Sequence, residues 1–112
     1  MEHEDRNPYI RECILKEIDD IHRFLDGMTE DEFCANNMCQ KAVVMSLVNI
    51  GELSKSLTAS YTDRIPGIPW RDIRGFRNIA AHNYGGLDMS EVWKTAMLDI
   101  TSLEHELTAH PV

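Results

Sequence analysis

The stretch RNIAAHNYGG, residues 77 to 86, sets an arginine, a histidine and a tyrosine within eight positions of one another. These side chains suit phosphate chemistry. Cleaving an RNA phosphodiester without a metal needs a base for the 2′-hydroxyl, an acid for the leaving oxygen, and cations for the developing charge. Histidine exchanges its proton near neutral pH and can act as either acid or base, a role typically worth roughly 10²–10⁴ in rate. Arginine stays charged and can bond two phosphate oxygens at once. A blander reading uses the same residues. The dipole favours a histidine in a helix's last turn, a tyrosine beyond it packs over the helix end, and arginines on an outward face are simply solvated.

Such a pair needs a rigid element to hold it. A helix is predicted over about 69–82, with Pro69 in its first turn and Asn83, Gly85 and Gly86 ending it. At about 100° per residue, Ile73, Phe76, Ile79 and Ala80 form the face expected to be buried. Arg71, Arg74, Arg77, Asn78 and His82 take the other side. Arg77 and His82 bracket an outward face about 140° wide, kept low by Ala81 and Gly75. That face admits a phosphate, or a second copy of the same helix. One histidine per chain is awkward for two proton transfers. A two-fold dimer would bring a second Arg77 and His82 to one cleft, because a two-fold contact meets itself.

The remaining segments also read as helices, and no strand is predicted. Ile10, Ile14, Ile18, Ile21 and Leu25 make one apolar stripe over residues 8–26, with Cys13 and Phe24 at its edges and Gly27 as the stop. Thr29 followed by Glu32 is a capping-box pattern for a short helix over about 30–36. Residues 38–59 are apolar on most sides, as expected of a helix buried against several neighbours. YTDRIPGIP, 61–69, reads as a connecting loop. Asp88 or Ser90 caps a last helix running to about 108, striped by Trp93, Ala96, Met97, Ile100, Leu103 and Leu107. The fold class expected is all-α, an up-and-down bundle of four to five helices in a single domain over 1–112 with its core at about 8–107.

Composition bounds the rest. The chain has 112 residues, enough for one core, with 43% hydrophobic and 27% charged residues, an ordinary globular mix. The acidic, polar start MEHEDRNPY is unlike a secretory signal, and no apolar run reaches the ~20 residues of a membrane span, so a cytoplasmic protein is expected. The odd set Cys13, Cys34 and Cys39 is read as small hydrophobes in a reducing compartment, with no metal site. The net charge is −8, yet residues 64–84 carry +3, leaving −11 on the rest. A basic island on an acidic body suits a local phosphate contact rather than a broad duplex surface, and the acidic body could serve a basic protein partner.

The pattern Arg77, four residues, His82, one residue, Tyr84 resembles the R-x4-H-x-Y motif of HepT-like toxins of the HEPN superfamily. IPWRDIRGFRNIAAHNYGG is similar to that family's Ile-Pro-Trp lead-in and motif, NIGELSKSL to its Gly-Glu segment, and FLDGMTEDEF to its first inter-helix turn. The match runs over about residues 8–107.

The resemblance implies a homodimeric HEPN bundle acting as a metal-independent RNA endonuclease on tRNA or mRNA, the toxin of a type VII toxin–antitoxin pair, with the site at the dimer cleft. It implies Arg77 and His82 as the catalytic pair, Asn78 as a supporting residue and no cofactor. It also implies a minimal nucleotidyltransferase (MntA-like) antitoxin, which uses ATP and Mg²⁺ to transfer AMP to Tyr84. AMP there would set bulk and negative charge beside Arg77. The alternative is a catalytically inactive HEPN dimer that binds a nucleotide or protein. Asn-Ile-Ala-Ala between Arg77 and His82 is smaller than the branched aliphatics often found there, which either loosens the core or lets a dimer approach more closely. Arg71 and Arg74 are read as RNA-phosphate contacts or plain surface, and Glu52 as a partner for an arginine or a solvated acid. Gly51 is read as a close-packing residue, Trp70 as an interface or core anchor, and His3, His22, His105 and His110 as surface.

Overall fold

A computed structural model describes residues 6–112 (His3 lies outside them), and their regular structure is entirely helical. Helix α1, Asn7–Leu25, carries Pro8 in its first turn and buries Ile10, Ile14, Ile18, Ile21 and Leu25, the stripe expected from their spacing. Gly27 follows at φ 73°, a conformation that a side chain would strain. Helix α2, Glu30–Cys34, opens on a true capping box. The Thr29 hydroxyl accepts from the Glu32 N–H at 3.2 Å, and the Glu32 carboxylate accepts from the Thr29 N–H at 2.9 Å.

Helix α3, Asn37–Ser54, is capped by the Asn36 side chain, which accepts from the Cys39 N–H at 2.9 Å. It packs against α1 on one side and α5 on the other, which accounts for its apolar composition. The expected extension to residue 59 does not form. The chain turns after Ser54, buries Leu57, and makes a further single turn, α4, Ala59–Thr62, inside part of the stretch read as loop. Long-range contacts outcompete helix continuation here. The Asn7 side chain donates to the Thr58 hydroxyl at 2.9 Å and accepts from the Thr58 N–H at 3.2 Å. Tyr61, buried, donates to the His110 carbonyl at 2.6 Å.

Helix α5, Trp70–Asn83, runs into a 3₁₀ turn, Tyr84–Gly86. Asp88 then caps α6, Met89–Lys94, accepting from the Ser90 N–H at 2.9 Å. The last helix is not continuous. A π turn over Thr95–Asp99 separates α6 from α7, Ile100–Ala109, and its wider winding shifts the apolar stripe. Val92, Ala96, Ile100, Leu103 and Leu107 face the core, while Met97 is 43% exposed. Helix α7 packs on α1, and α2 docks on α6, leaving α5 at one edge of the bundle against α3.

Two other expectations change. His22 and His110 are half-buried: His22 Nε2 lies 3.2 Å from Glu104 Oε1, joining α1 to α7, and His110 Nδ1 lies 2.9 Å from the Glu106 carbonyl. His105 is exposed as expected. All three cysteines are free; Cys13 and Cys39 are half-buried, but Cys34 is exposed and is not a core hydrophobe.

Candidate active site

The site is built on the seam between α3 and α5. Ala80 and Trp70 are the buried residues of α5, and Trp70 Nε1 donates to the Ile65 carbonyl at 3.2 Å, making it a core anchor. Gly51 lets the helices close up, since a Cβ there would stand 2.5 Å from the Ile73 carbonyl oxygen. Helix α5 is continuous through Asn83, so Arg77 and His82 keep an angular separation of about 140° about its axis. One chain therefore does not aim both at one point along that helix.

Arg77 is oriented and His82 is open. Arg77 Nε lies 3.7 Å from Glu52 Oε1, and Lys55 Nζ lies 3.1 Å from the same oxygen. Glu52 is thus a partner of the arginine rather than a lone solvated acid. With Arg77 57% exposed and Glu52 42% exposed, this contact is worth at most about 1 kcal/mol, enough to bias an orientation and little more. Lys55 escaped the sequence reading, although its three-residue spacing from Glu52 on a helix was a signal. His82 is exposed and its side chain makes no hydrogen bond or ion pair among the described residues, and the same holds for the side chains of Asn78 and Arg71.

Arg74 differs. It is half-buried, with its guanidinium carbon 5.9 Å from the Trp70 ring centre and its Nε shielded from solvent without a hydrogen-bond partner. It packs on the tryptophan instead of standing free beside Arg71.

The face of α5 expected to be buried is only partly so. Ile79 is 57% exposed, and Ile73 and Phe76 are half-buried, because α5 packs mainly on α3. Ile73, Phe76 and Ile79 line a cavity of about 440 Å³ toward α7, with Asp72 and Asp99 also in its wall.

On the opposite flank of α5 lies a shallower groove of about 430 Å³. Arg77, Ala80, Ala81 and Tyr84 form one wall, and Lys41, Val44, Met45 and Val48 of α3 the other. Tyr84 is half-buried against the core, and its hydroxyl oxygen is shielded from solvent with no hydrogen-bond partner among the described residues. The tyrosine does lie on the Arg77 side, yet in this state its hydroxyl is covered. Lys41 was missed by sequence reasoning, since it sits in a helix that reads as core. The signal was its place on one stripe with Met45, Val48 and Glu52. Among the described residues no group of three or more His, Cys, Asp or Glu is placed to hold a metal ion. No described helix is long and apolar enough to cross a membrane.

Comparison with known proteins places the same segment in context. The pattern of the family described as Ribonuclease HepT-like matches residues 14–109. A candidate RNase of Methanocaldococcus jannaschii is 32% identical over 94 residues, covering 84% of this chain and 86% of the relative. A protein of Thermococcus cleftensis named probable ribonuclease HepT is 34% identical over 93 residues, covering 83% and 84%. A candidate RNase of Caldanaerobacter subterraneus is 30% identical over 100 residues, covering 89% and 88%. No solved structure matches the chain significantly.

Proposed function

The chain belongs to the HepT-like ribonuclease family, and from that premise we propose that it is a metal-independent RNA endonuclease, the toxin of a type VII toxin–antitoxin pair. The observation that carries the reading is the arrangement along α5. An arginine biased by Glu52 stands at one edge, an unpaired exposed histidine at the other, and the small Ala81 lies between them beside Asn78 and Arg71. The splay of Arg77 and His82 favours a site shared by two copies of the helix. Ile79, largely exposed, and Gly75, where an added Cβ would meet nothing within 4 Å, leave that helix open to a second chain.

In this reading, His82 of one protomer takes the proton of the 2′-hydroxyl as that oxygen attacks phosphorus. The bond to the 5′-oxygen breaks, and the leaving oxygen takes a proton from the partner's His82, yielding a cyclic phosphate and a free 5′-hydroxyl. Arg77 from each copy holds the charge that gathers on the phosphate oxygens. Asn78 and Arg71, both exposed on the same face, are available to the RNA backbone.

Control by AMP transfer to Tyr84 from a nucleotidyltransferase antitoxin belongs to the same proposal. Because the Tyr84 hydroxyl is covered, the transferase must first draw the ring out, and Gly85 and Gly86 in the adjoining turn give the backbone freedom for that. Co-expression with the transferase should add one or more AMP masses to the chain but not to Tyr84→Phe. An unchanged mass beside a transferase active on another substrate would remove this part.

The nuclease itself is tested with purified protein and tRNA or total RNA in chelator. Arg77→Ala and His82→Ala are each expected to lower cleavage by roughly 10²–10⁴. Cleavage at the wild-type rate by both variants would refute the site.

A further inference from the structure

The groove beside Arg77 has the shape and charge of a nucleotide subsite. Helices α3 and α5 run antiparallel along it: Gly51 meets Ile73, Glu52 meets Arg77, and further back along α3 Lys41 shares the groove with Tyr84. From Glu52 to Lys41 is about 16 Å along the helix. The walls between are apolar and small, and Ala80 and Ala81 are what leave them open, since a branched side chain at 81 would occupy the space. This gives the reduced size of those two residues a reason.

The charges select the occupant. Lys41 and Arg77, both exposed, flank the apolar floor, and outside residues 64–84 the chain carries −11, so an anion is repelled elsewhere and drawn here. Arg77 already has Glu52 beside it, but a wholly apolar occupant would leave Lys41 without a counter-charge. A nucleotide supplies both a flat apolar base and a phosphate, and a space of about 430 Å³ falls in the ordinary range for small-ligand sites, roughly 300–1,000 Å³. Tyr84 adds an aromatic ring whose hydroxyl lacks a partner.

We propose that this groove binds one nucleotide of single-stranded RNA adjoining the bond to be cut, the base lying on Val44, Val48 and Ala81 and a phosphate held by Lys41. The inference rests on RNA cleavage at Arg77 and names residues that position its substrate.

The test measures binding of a short fluorescent single-stranded RNA to His82→Ala protein, in which turnover is suppressed. Adding Lys41→Ala should weaken binding about threefold to tenfold and flatten the plot of log affinity against log salt by roughly 0.7, the loss of one single-strand phosphate contact. Adding Ala81→Leu should weaken binding and leave that slope unchanged, because it removes room for the base and no charge. Residues 41 and 81 are both exposed, and unchanged melting temperatures confirm that the variants fold. Lys16→Ala, an exposed lysine on α1, should change neither reading. A nucleoside monophosphate should displace the RNA better than inorganic phosphate at equal concentration. Affinity and slope unmoved by both groove variants would overturn the proposal. So would an Ala81→Leu variant altered only in self-association, which would assign the groove to a second copy. The two readings fail separately. Wild-type cleavage indifferent to both groove variants sinks the subsite alone, whereas Lys41-dependent RNA binding without wild-type cleavage sinks the nuclease and leaves the groove.

Discussion

Glu52 stands between two cations, 3.7 Å from Arg77 and 3.1 Å from Lys55, on a partly exposed surface. Removing its charge should therefore cost the fold little. Glu52→Gln is expected to change unfolding free energy by less than about 1 kcal/mol in urea titration; a larger loss would mean that the carboxylate has a structural duty. Tyr61 makes the opposite case, a residue outside the site with a stake in stability. Burial pushes its phenol up from the ordinary value of 10.0, so the folded chain keeps a proton that the unfolded chain releases. The stabilisation from that difference is complete below about pH 10 and is lost as pH rises through the folded-state value. Tyr61→Phe should lose about 0.5–1.5 kcal/mol at neutral pH with its hydrogen bond to His110, yet show a shallower decline above pH 10. Urea midpoints measured across pH check both. At this scale the proposed trio Arg77, His82 and Tyr84 was readable from the chain as a spacing. Lys41 and Lys55 were not, since their relevance depends on which helix lies across from them.

The α3–α5 seam is where one element decides the site. Gly51→Ala would bring a Cβ against the Ile73 carbonyl, a backbone atom that cannot rotate away. A loss of about 1–3 kcal/mol is expected from the forced separation of the helices, together with weaker cleavage as Arg77 moves from Glu52. A Gly51→Ala protein as stable and active as wild type would show that the helices do not depend on close approach. Helix α1 and the capping box of α2 were legible because apolar periodicity and local hydrogen bonds set them. The early end of α3 and the π turn were not: the first follows from Asn7 reaching Thr58 across the fold, the second from a single extra residue absorbed within an apolar stripe. Helix α5 was read correctly in extent and wrongly in burial, because sequence gives an apolar face without saying whether this chain or another covers it. The exposure of Ile79 answers that for the single chain.

For the whole molecule, the splay of Arg77 and His82 on one helix underlies the proposal that two copies contribute to each phosphate. Mixing separates this from a site complete in one chain. Wild-type protein is combined at several ratios with an Arg77→Ala/His82→Ala double variant at constant total protein, subunits are allowed to exchange, and total RNA cleavage in chelator is measured. The account predicts that activity falls as about the square of the wild-type fraction, because a mixed pair lacks half of the shared site. Activity strictly proportional to the amount of wild-type chain, with exchange confirmed by mass, would contradict it.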